Sequence, residues 1–176
     1  MAELEVWLDD RSWGSHLPAL IACVTATSGP VLELGVGDYS TPCLHSICCN
    51  SRRMLLSVEH DKAWMERFLQ FQHDLHDIVW SGPDWTLPPK YSSTHWSVVF
   101  IDNSPGSRRG IDLTHYYDKT KYVVIHDCGP KATPDAPHEV LDVILEPMKK
   151  WPYQAQYTRY TPYTIVLGHQ PIPEMK

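Results

Sequence analysis

The 176-residue sequence lacks the features that define several protein classes. No apolar run approaches about 18 residues, the length that a membrane-spanning helix needs. The formal net charge is −6 and the basic residues form no run, so the sequence has no electrostatic footprint for nucleic acid. Internal repeats and low-complexity tracts are also absent, and a content of 43% hydrophobic and 20% charged residues is typical of a globular protein. The sequence therefore predicts a protein without a nucleic-acid or membrane partner.

Cysteine is present, but without the pattern of a disulfide framework. The cysteines are odd in number, form no C-x-x-C pair and include two neighbours: Cys23, Cys43, Cys48, Cys49 and Cys128. The first residues, MAELEVWLDDRSW, are acidic and contain no apolar segment of a secretory signal peptide. Both observations indicate reduced thiols and predict a cytoplasmic protein.

Short apolar runs alternate with segments of helical spacing along the whole chain. Strands are predicted at 31–34, 54–59, 77–80, 97–102, 121–127, 153–160 and 163–169, and helices at 15–27, 40–50, 61–75, 111–119 and 139–151. Strands that are nearly continuous in apolar residues are typical of a parallel sheet covered on both faces. The last two strands have no helix between them, which predicts an antiparallel hairpin. We therefore expect one domain over residues 1–176, an α/β, doubly wound, mostly parallel seven-stranded Rossmann-like sheet with a C-terminal antiparallel hairpin and no separate substrate domain.

The polar residues of interest come where predicted strands end. After the five parallel strands in turn stand Glu33 with Gly35 and Gly37, then Glu59, then Asp84 and Trp85, then Asp102, and finally His126 and Asp127. In a doubly wound sheet the ligand lies in the crevice at the carboxyl ends of the strands. A polar residue after one strand is commonplace, whereas five in register predict a binding site.

The segment VLELGVGDYST at 31–41 narrows the choice of ligand. Gly35 and Gly37 allow the backbone to approach a ligand, and Glu59 lies where an acid accepts hydrogen bonds from ribose hydroxyls. This pattern fits a dinucleotide or S-adenosylmethionine. The third glycine of G-x-G-x-x-G would fall at position 40, which is Ser40, and an acid at Glu33 suits a cationic ligand better than a pyrophosphate. The cationic nucleoside is favoured.

Further motifs follow in chain order: SVEHD at 57–61, FID at 100–102 and VIHD at 124–127. With ELGVG at 33–37 and the closing hairpin, they resemble a Rossmann-like class I S-adenosylmethionine-dependent methyltransferase over about residues 15–168. More narrowly, ELGVGDYST, SVEHDKAW, IDNSPGSRRGIDL and VVIHD resemble a group of small methyltransferase-like proteins, in which Gly-x-x-Ser-Thr and Pro-Gly-x-Arg-Arg loops recur. The sequence departs from the wider family at Tyr39, where a third glycine is common.

The resemblance implies a set of residues around the methionine part of the cofactor. Glu33, Gly35 and Gly37 would surround the methionine and the sulfonium. Ser40 and Thr41, the last two residues of the Gly-x-x-Ser-Thr loop, would contact the cofactor as well.

The resemblance implies a second set around the nucleoside. Glu59 would hold the ribose, and His60 would lie against the adenosine. Asp84 would reach the adenine amino group, with Trp85 beside the ring. Asp102 would face the methionine or the acceptor.

Two routes are open for removing a proton from an oxygen acceptor. In one, His126 or Asp127 is a general base. In the other, Asp102 and Asp127 hold a Mg²⁺ ion that lowers the pKa of the acceptor, as in metal-dependent catechol-type O-methyltransferases. Those enzymes commonly have Asn after the second acid, where this sequence has Cys128.

The sequence thus predicts a methyltransferase that uses S-adenosylmethionine, with Mg²⁺ as a second candidate cofactor, and that acts on an oxygen or nitrogen of a small molecule or sugar. A dimer partner could complete a shallow acceptor site. Arg108 and Arg109 could pair with a phosphate or carboxylate of the acceptor, or lie in a solvated loop. The alternative functions are a nicotinamide-dependent oxidoreductase and a non-catalytic module that binds the nucleoside or a partner protein.

Overall fold

The computed structural model describes residues 14–129 and 138–175. The domain predicted over 1–176 includes its acidic start at 1–13, the segment 130–137 and residue 176, which lie outside the described residues. The strands are β1 Val31–Leu34, β2 Leu55–Glu59, β3 His76–Trp80, β4 Trp96–Ile101, β5 Thr120–Ile125, β6 Tyr153–Tyr157 and β7 Thr164–Gly168. The α-helices are α1 Leu17–Thr25, α2 Ser40–Asn50, α3 Lys62–Glu66, α4 Arg109–His115 and α5 Leu141–Met148.

One sheet contains all seven strands in the order β3-β2-β1-β4-β5-β7-β6. The five strands from β3 to β5 are parallel, and β7 runs antiparallel to both β5 and β6. The predicted fold class is confirmed, including the hairpin formed by the last two strands. Strand order reverses at β1, which lies between β2 and β4, and such a switch point is where ligands bind in this architecture.

Alternation along the buried strands separates two apolar cores, one on each face of the sheet. Val31 and Leu55 pack with α1 and α2 on one face, whereas their neighbours Leu32 and Leu56 pack with the cluster on the opposite face that includes α4 and α5. Because successive side chains of a strand point to opposite faces, a continuous apolar run supplies both cores. This double burial is what makes the sheet doubly wound.

The helix predicted over 61–75 is wrong in its length. Asp61 begins α3 as its N-cap, with Oδ1 accepting the backbone N–H of Trp64 at 3.0 Å, but the helix ends at Glu66 and a 3₁₀ turn follows at Leu69–Phe71. A 15-residue helix would be about 22 Å long, whereas five-residue strands span about 17 Å. The chain must therefore turn back earlier to enter β3.

The first helix is also shorter than the predicted range of 15–27. Pro18 lies in the first turn of α1, where a missing N–H is tolerated, but the residue before the helix is His16. The Ser15 hydroxyl instead donates to the carbonyl of Pro162, in the β6–β7 connection, at 2.7 Å. This bond ties the start of α1 to the hairpin.

The structure also bears on the state of the cysteines and on membrane-spanning helices. All five cysteines are free thiols. Within the part of the chain that the structure describes, no helix combines the length and the apolar character needed to cross a membrane.

Candidate functional site

A cavity of about 1210 Å³ opens at the carboxyl ends of β1, β2, β4 and β5. Its wall also includes His16, before α1, and Thr161 and Pro162 from the β6–β7 connection. Of the predicted site residues, those that line it are Gly35, Gly37, Ser40, Glu59, His60, Asp102, His126 and Asp127. The sheet edge therefore brings together most of the set that the sequence identified.

The two glycines after β1 serve different purposes. Gly35 has φ +95°, and a Cβ added there would lie 2.6 Å from the backbone oxygen of Asp102, so this glycine lets the β1 loop cross the end of β4. A Cβ at Gly37 would meet only the Ser40 hydroxyl, at 3.2 Å. Gly37 is thus the position where bare backbone is presented to the cavity.

Glu33 lies beneath the β1 loop and does not line the cavity. It is fully buried and accepts hydrogen bonds from Thr41 Oγ1 at 3.0 Å and Ser57 Oγ at 2.5 Å. The same Thr41 oxygen accepts the backbone N–H of Gly37 at 2.9 Å. Burial raises the pKa of Glu33 from 4.5 to about 7. Glu33 and Thr41, both predicted to contact the cofactor, are placed to hold the loop from below.

Glu59 ends β2 and lies on the cavity wall with its carboxylate fixed by the backbone. Oε1 accepts the N–H groups of His60 at 2.7 Å and Asp61 at 2.9 Å, and Oε2 accepts the N–H of Val36 at 3.2 Å. Because Oε2 has a single partner among the described residues, it keeps a lone pair for a hydroxyl in the cavity. Glu59 can therefore accept a hydrogen bond from a ligand hydroxyl.

The predicted adenine contacts are only partly brought to the cavity. His60 lines it, and its ring packs on Trp85 with centroids 5.0 Å apart. Trp85 itself is 4% exposed and belongs to the apolar core, while Asp84 is exposed, and neither lines the cavity. Trp64 of α3 takes such a place on the wall and donates Nε1–H to the carbonyl of Val36 at 2.8 Å. The sequence signal for Trp64 is its position at the end of SVEHDKAW, five residues after Glu59.

Asp102 and Asp127 meet at the ends of β4 and β5, but with a guanidinium between them. Arg109 Nη2 lies 3.0 Å from Asp102 Oδ1 and 3.1 Å from Asp127 Oδ2. Arg109 is 5% exposed and also donates to the carbonyl oxygens of His126 at 2.7 Å and Asn103 at 3.0 Å. This arginine is part of the protein's own polar network, neither a solvated loop residue nor a free group for the acceptor.

Both ring nitrogens of His126 have polar neighbours. Nδ1 lies 3.2 Å from Asp102 Oδ2 and 3.5 Å from Asp127 Oδ1, and Nε2 lies 2.9 Å from the Ser15 hydroxyl. A second histidine, His16, packs edge-on against His126 with ring centroids 4.5 Å apart. Burial lowers the pKa of His16 from 6.5 to about 3. No strand-end pattern points to His16, because it precedes a helix.

The carboxylate pair does not fit the Mg²⁺ ion that the resemblance implies. Mg²⁺ takes oxygen ligands at about 2.0–2.1 Å in near-ideal octahedral geometry. Each carboxylate has one oxygen paired with the buried Arg109, and that guanidinium already supplies a positive charge between them. Cys128, which stands where the resemblance expects Asn, is buried, and burial raises the pKa of its thiol to about 12.

The strand order, the antiparallel β7 and the cavity at the carboxyl ends of the parallel strands define the fold of the class I S-adenosylmethionine-dependent methyltransferases. The resemblance found in the sequence is confirmed at the level of the fold. No protein-family model and no curated protein matches the chain.

Three solved structures illustrate the likeness. Cofactor-bound Rv0187 from MTB is 17% identical with a TM-score of 0.64, covering 89% of this chain and 79% of that one. The O-methyltransferase of Bacillus cereus in complex with SAH is 11% identical with a TM-score of 0.61, covering 88% and 80%. The SAH-bound Podospora anserina methyltransferase PaMTH1 is 10% identical with a TM-score of 0.65, covering 89% and 77%.

Proposed function

We propose that this chain binds S-adenosylmethionine in the cavity and transfers its methyl group to an oxygen or nitrogen of a small-molecule or sugar-like acceptor. The observation that carries the proposal is the placement of Gly37 and the backbone-fixed Glu59 side by side at the ends of β1 and β2. Structures of the same fold that are described as SAH complexes support this choice of cofactor.

The cavity offers each part of the cofactor a suitable surface. Glu59 would accept hydrogen bonds from the ribose hydroxyls through Oε2. His60 and Trp64 would lie along the adenine, and the backbone from Gly35 to Gly37 would contact the methionine part. Asp102 would face the sulfonium, because its side chain is 23% exposed at the end of β4 beside the β1 loop.

S-adenosylmethionine supplies a methyl carbon that its sulfonium already activates. The protein has to align the acceptor with that carbon and take up the proton of an oxygen or ammonium acceptor. Asp127 is the best placed group for the proton: its side chain is 44% exposed, against 23% for Asp102 and 5% for His126. Arg109 and His126 would hold the Asp127 carboxylate from below. As the acceptor takes the methyl group from the sulfur, Asp127 would accept the acceptor's proton.

The backbone of Asp127 supports this role. Its φ is +57°, in the left-handed region that is uncommon for residues other than glycine. Such conformations concentrate at functional sites, where surrounding contacts keep a side chain in a required orientation. The turn at Asp127 carries its carboxylate over the end of β5 to the cavity wall.

A small acceptor fits this chain better than a polymer. The formal net charge of −6 gives no electrostatic footprint for nucleic acid. At the acceptor end of the cavity, around Asp102, Arg109 and Asp127, the charged groups pair with one another. A homodimer that completes the acceptor site stays a prediction, which sedimentation at micromolar concentration would test.

The direct test is calorimetric titration of the purified chain with S-adenosylhomocysteine and with NAD, followed by turnover with phenol, carboxylate, sugar and amine acceptors. We expect S-adenosylhomocysteine to bind and NAD not to bind. Binding of NAD alone would instead support the oxidoreductase. Binding of S-adenosylmethionine with no turnover in any acceptor class would support a non-catalytic module.

A further inference from the structure

We propose that His16, Asp102 and His126 form a binding site for a divalent transition metal ion of the zinc or iron(II) kind. The site lies at the acceptor end of the cavity, so its role in catalysis rests on the proposed function. Binding of the ion itself does not require methyl transfer. The proposed donor set differs from the pair of carboxylates that the sequence resemblance implied for Mg²⁺.

The spacing of the three side chains suits a metal ion. One ligand atom from each lies within 4.8 Å of the other two, and no other trio of potential ligands in the described ranges 14–129 and 138–175 meets this spacing. Asp102 Oδ2 and His126 Nδ1 are 3.2 Å apart. Two ligands about 2.0–2.2 Å from one metal ion are separated by about 2.8–3.6 Å in octahedral or tetrahedral geometry. Closing the site therefore needs movement chiefly of His16.

The hydrogen bonds of His126 expose one ring nitrogen as a ligand. The Ser15 hydroxyl has a single proton, which goes to the Pro162 carbonyl at 2.7 Å. Ser15 must then accept from His126 Nε2, 2.9 Å away, so Nε2 carries a proton. In the neutral ring Nδ1 is bare, as in metal sites where the second ring nitrogen of a ligating histidine donates a hydrogen bond.

The bare Nδ1 faces negative charge. Asp102 Oδ2 lies 3.2 Å away and Asp127 Oδ1 3.5 Å away. A lone pair directed at two carboxylates is repelled unless a cation lies between them. A metal ion held by Asp102 and His126 would be such a cation. Arg109 does not fill this place, because it contacts Asp102 Oδ1 and Asp127 Oδ2, the opposite oxygens.

His16 supplies the third ligand of the proposed site. It is 2% exposed, lines the cavity, and neither of its ring nitrogens has a hydrogen-bond partner among the described residues. A buried polar atom without a partner is destabilising, and a metal ion would satisfy one of the two nitrogens.

The donor types select the class of ion. Two imidazoles and one carboxylate suit zinc, iron(II) and related ions, whereas Mg²⁺ prefers oxygen ligands and retains water. An ion held here would act as a Lewis acid towards an oxygen acceptor. Asp127, 3.5 Å from His126, lies beside the proposed site.

The experiment uses the full chain, freed of metal with a chelator and titrated with Co²⁺ and Zn²⁺ by visible absorption and calorimetry. A second cluster of imidazoles with a thiol could also take these ions: Cys49 Sγ lies 3.7 Å from His45 Nδ1 and 3.6 Å from His73 Nδ1. All titrations are therefore made in a Cys49→Ser background. We expect one equivalent of Co²⁺ to give visible ligand-field bands that Zn²⁺ abolishes.

His16→Gln is the diagnostic variant, and His138→Gln, on the same cavity wall, is its control. We expect His16→Gln to weaken Zn²⁺ binding at least about 100-fold, and the control to leave it unchanged. X-ray absorption spectroscopy at the zinc edge of the wild-type chain gives a second measurement, which does not require a variant to fold. Nitrogen and oxygen neighbours at about 2.0–2.1 Å without sulfur at about 2.3 Å would support the site.

The proposal is overturned if no ion binds in the Cys49→Ser background, if Mg²⁺ competes equally with Zn²⁺, or if His16→Gln folds and binds Zn²⁺ as before. Sulfur neighbours around the zinc of the wild-type chain, with no ion bound once Cys49 is replaced, would assign the ion to the other cluster. Titration with S-adenosylhomocysteine in parallel separates the two hypotheses. Cofactor binding without metal binding sinks only this inference, and metal binding without cofactor binding sinks only the proposed function.

Discussion

Glu33 and His76 bind the same hydroxyl group, that of Ser57, at 2.5 and 2.8 Å. Ser57 has one proton to donate, so an ionised Glu33 takes it and His76 donates Nε2–H to Ser57. His76 Nδ1 is then left to accept from His45 Nδ1, 3.1 Å away. Protonation of Glu33 allows the direction of this row of hydrogen bonds to reverse. Both buried groups therefore affect how the fold responds to pH.

Glu33 should make the protein less stable as pH rises. Burial raises its pKa in the folded chain from 4.5 to about 7, so between these values the folded state holds a proton that the unfolded state releases. Relative to Glu33→Gln, the wild type should lose roughly 2 kcal/mol of unfolding free energy between pH 5 and 7. Urea unfolding at several pH values measures the difference, with exposed Glu66→Gln as control. A pH-independent difference would mean that Glu33 does not titrate in this range.

His76 should have the opposite effect. Burial, followed by the charge of His45, lowers its pKa from 6.5 to about 4, so the unfolded chain takes up a proton in this window that the folded chain refuses. The stability associated with His76 is complete above pH 6.5 and is lost as pH falls towards 4. Between pH 7 and 5 the loss should be roughly 2 kcal/mol relative to His76→Gln. His95→Gln, at an exposed position, should follow the wild type in the same urea series.

Glu59→Gln should weaken S-adenosylhomocysteine binding while the chain stays folded. Loss of a charged hydrogen-bond acceptor costs about 1–3 kcal/mol, or roughly 5–150-fold in Kd. Asp84→Asn is the matched control, because Asp84 is exposed and outside the cavity wall. Calorimetry decides between the two acids. An equal loss in the Asp84 variant would restore the sequence-based prediction that this residue reaches the adenine.

Gly35→Ala and Gly37→Ala should fail in different ways. Alanine at position 35 must adopt φ +95° and place its Cβ 2.6 Å from the oxygen of Asp102, so we expect a loss of about 2–4 kcal/mol in unfolding free energy. Alanine at position 37 should cost less than about 1 kcal/mol but reduce cofactor affinity by adding a methyl group to the cavity wall. Thermal melts with and without S-adenosylhomocysteine compare the two. Equal stability of the two variants would contradict the different roles assigned to the glycines.

Arg109→Gln should destabilise the fold, because Asp102 and Asp127 would lose their shared partner. Because the two carboxylates left behind are 23% and 44% exposed, we expect the loss of these charged hydrogen bonds to cost about 1–3 kcal/mol. Arg67→Gln serves as control, since Arg67 and Asp38 form an exposed pair with side chains 52% and 56% accessible, and such pairs contribute at most about 1 kcal/mol. Chemical denaturation measures both variants. Similar small effects would show that Arg109 does not organise the acceptor end.

The fold and the part of the cavity that is proposed to bind the cofactor could be predicted from the sequence because they follow from local patterns. Apolar runs set the strands, and an acid or glycine directly after a parallel strand must lie at the same edge of the sheet as its neighbours. Gly37, Glu59 and Asp102 reach the cavity for this reason. The fold class and the boundaries of the strand at 31–34 and the helix at 40–50 are confirmed.

The acceptor end depends on contacts between distant parts of the chain, which no local pattern encodes. His16 reaches His126 only because α1 packs beside β4 and β5, and Arg109 turns inward because the loop after β4 begins a helix at that residue. Trp85 follows a strand, but in a proline-rich loop without periodicity, so its direction could not be inferred. It packs into the core instead of lining the cavity.

The hydroxyl shared by Glu33 and His76 has a practical consequence for spectroscopy. The half-exposed imidazole of His45 lies at one end of a row of hydrogen bonds that ends at the backbone amide of Gly37 on the cavity wall. The row runs through His76, Ser57, Glu33 and Thr41. Nitrogen-15 resonances of His45 should therefore respond to occupancy of a cavity that this ring never touches, which makes it a remote reporter that needs no label near the ligand.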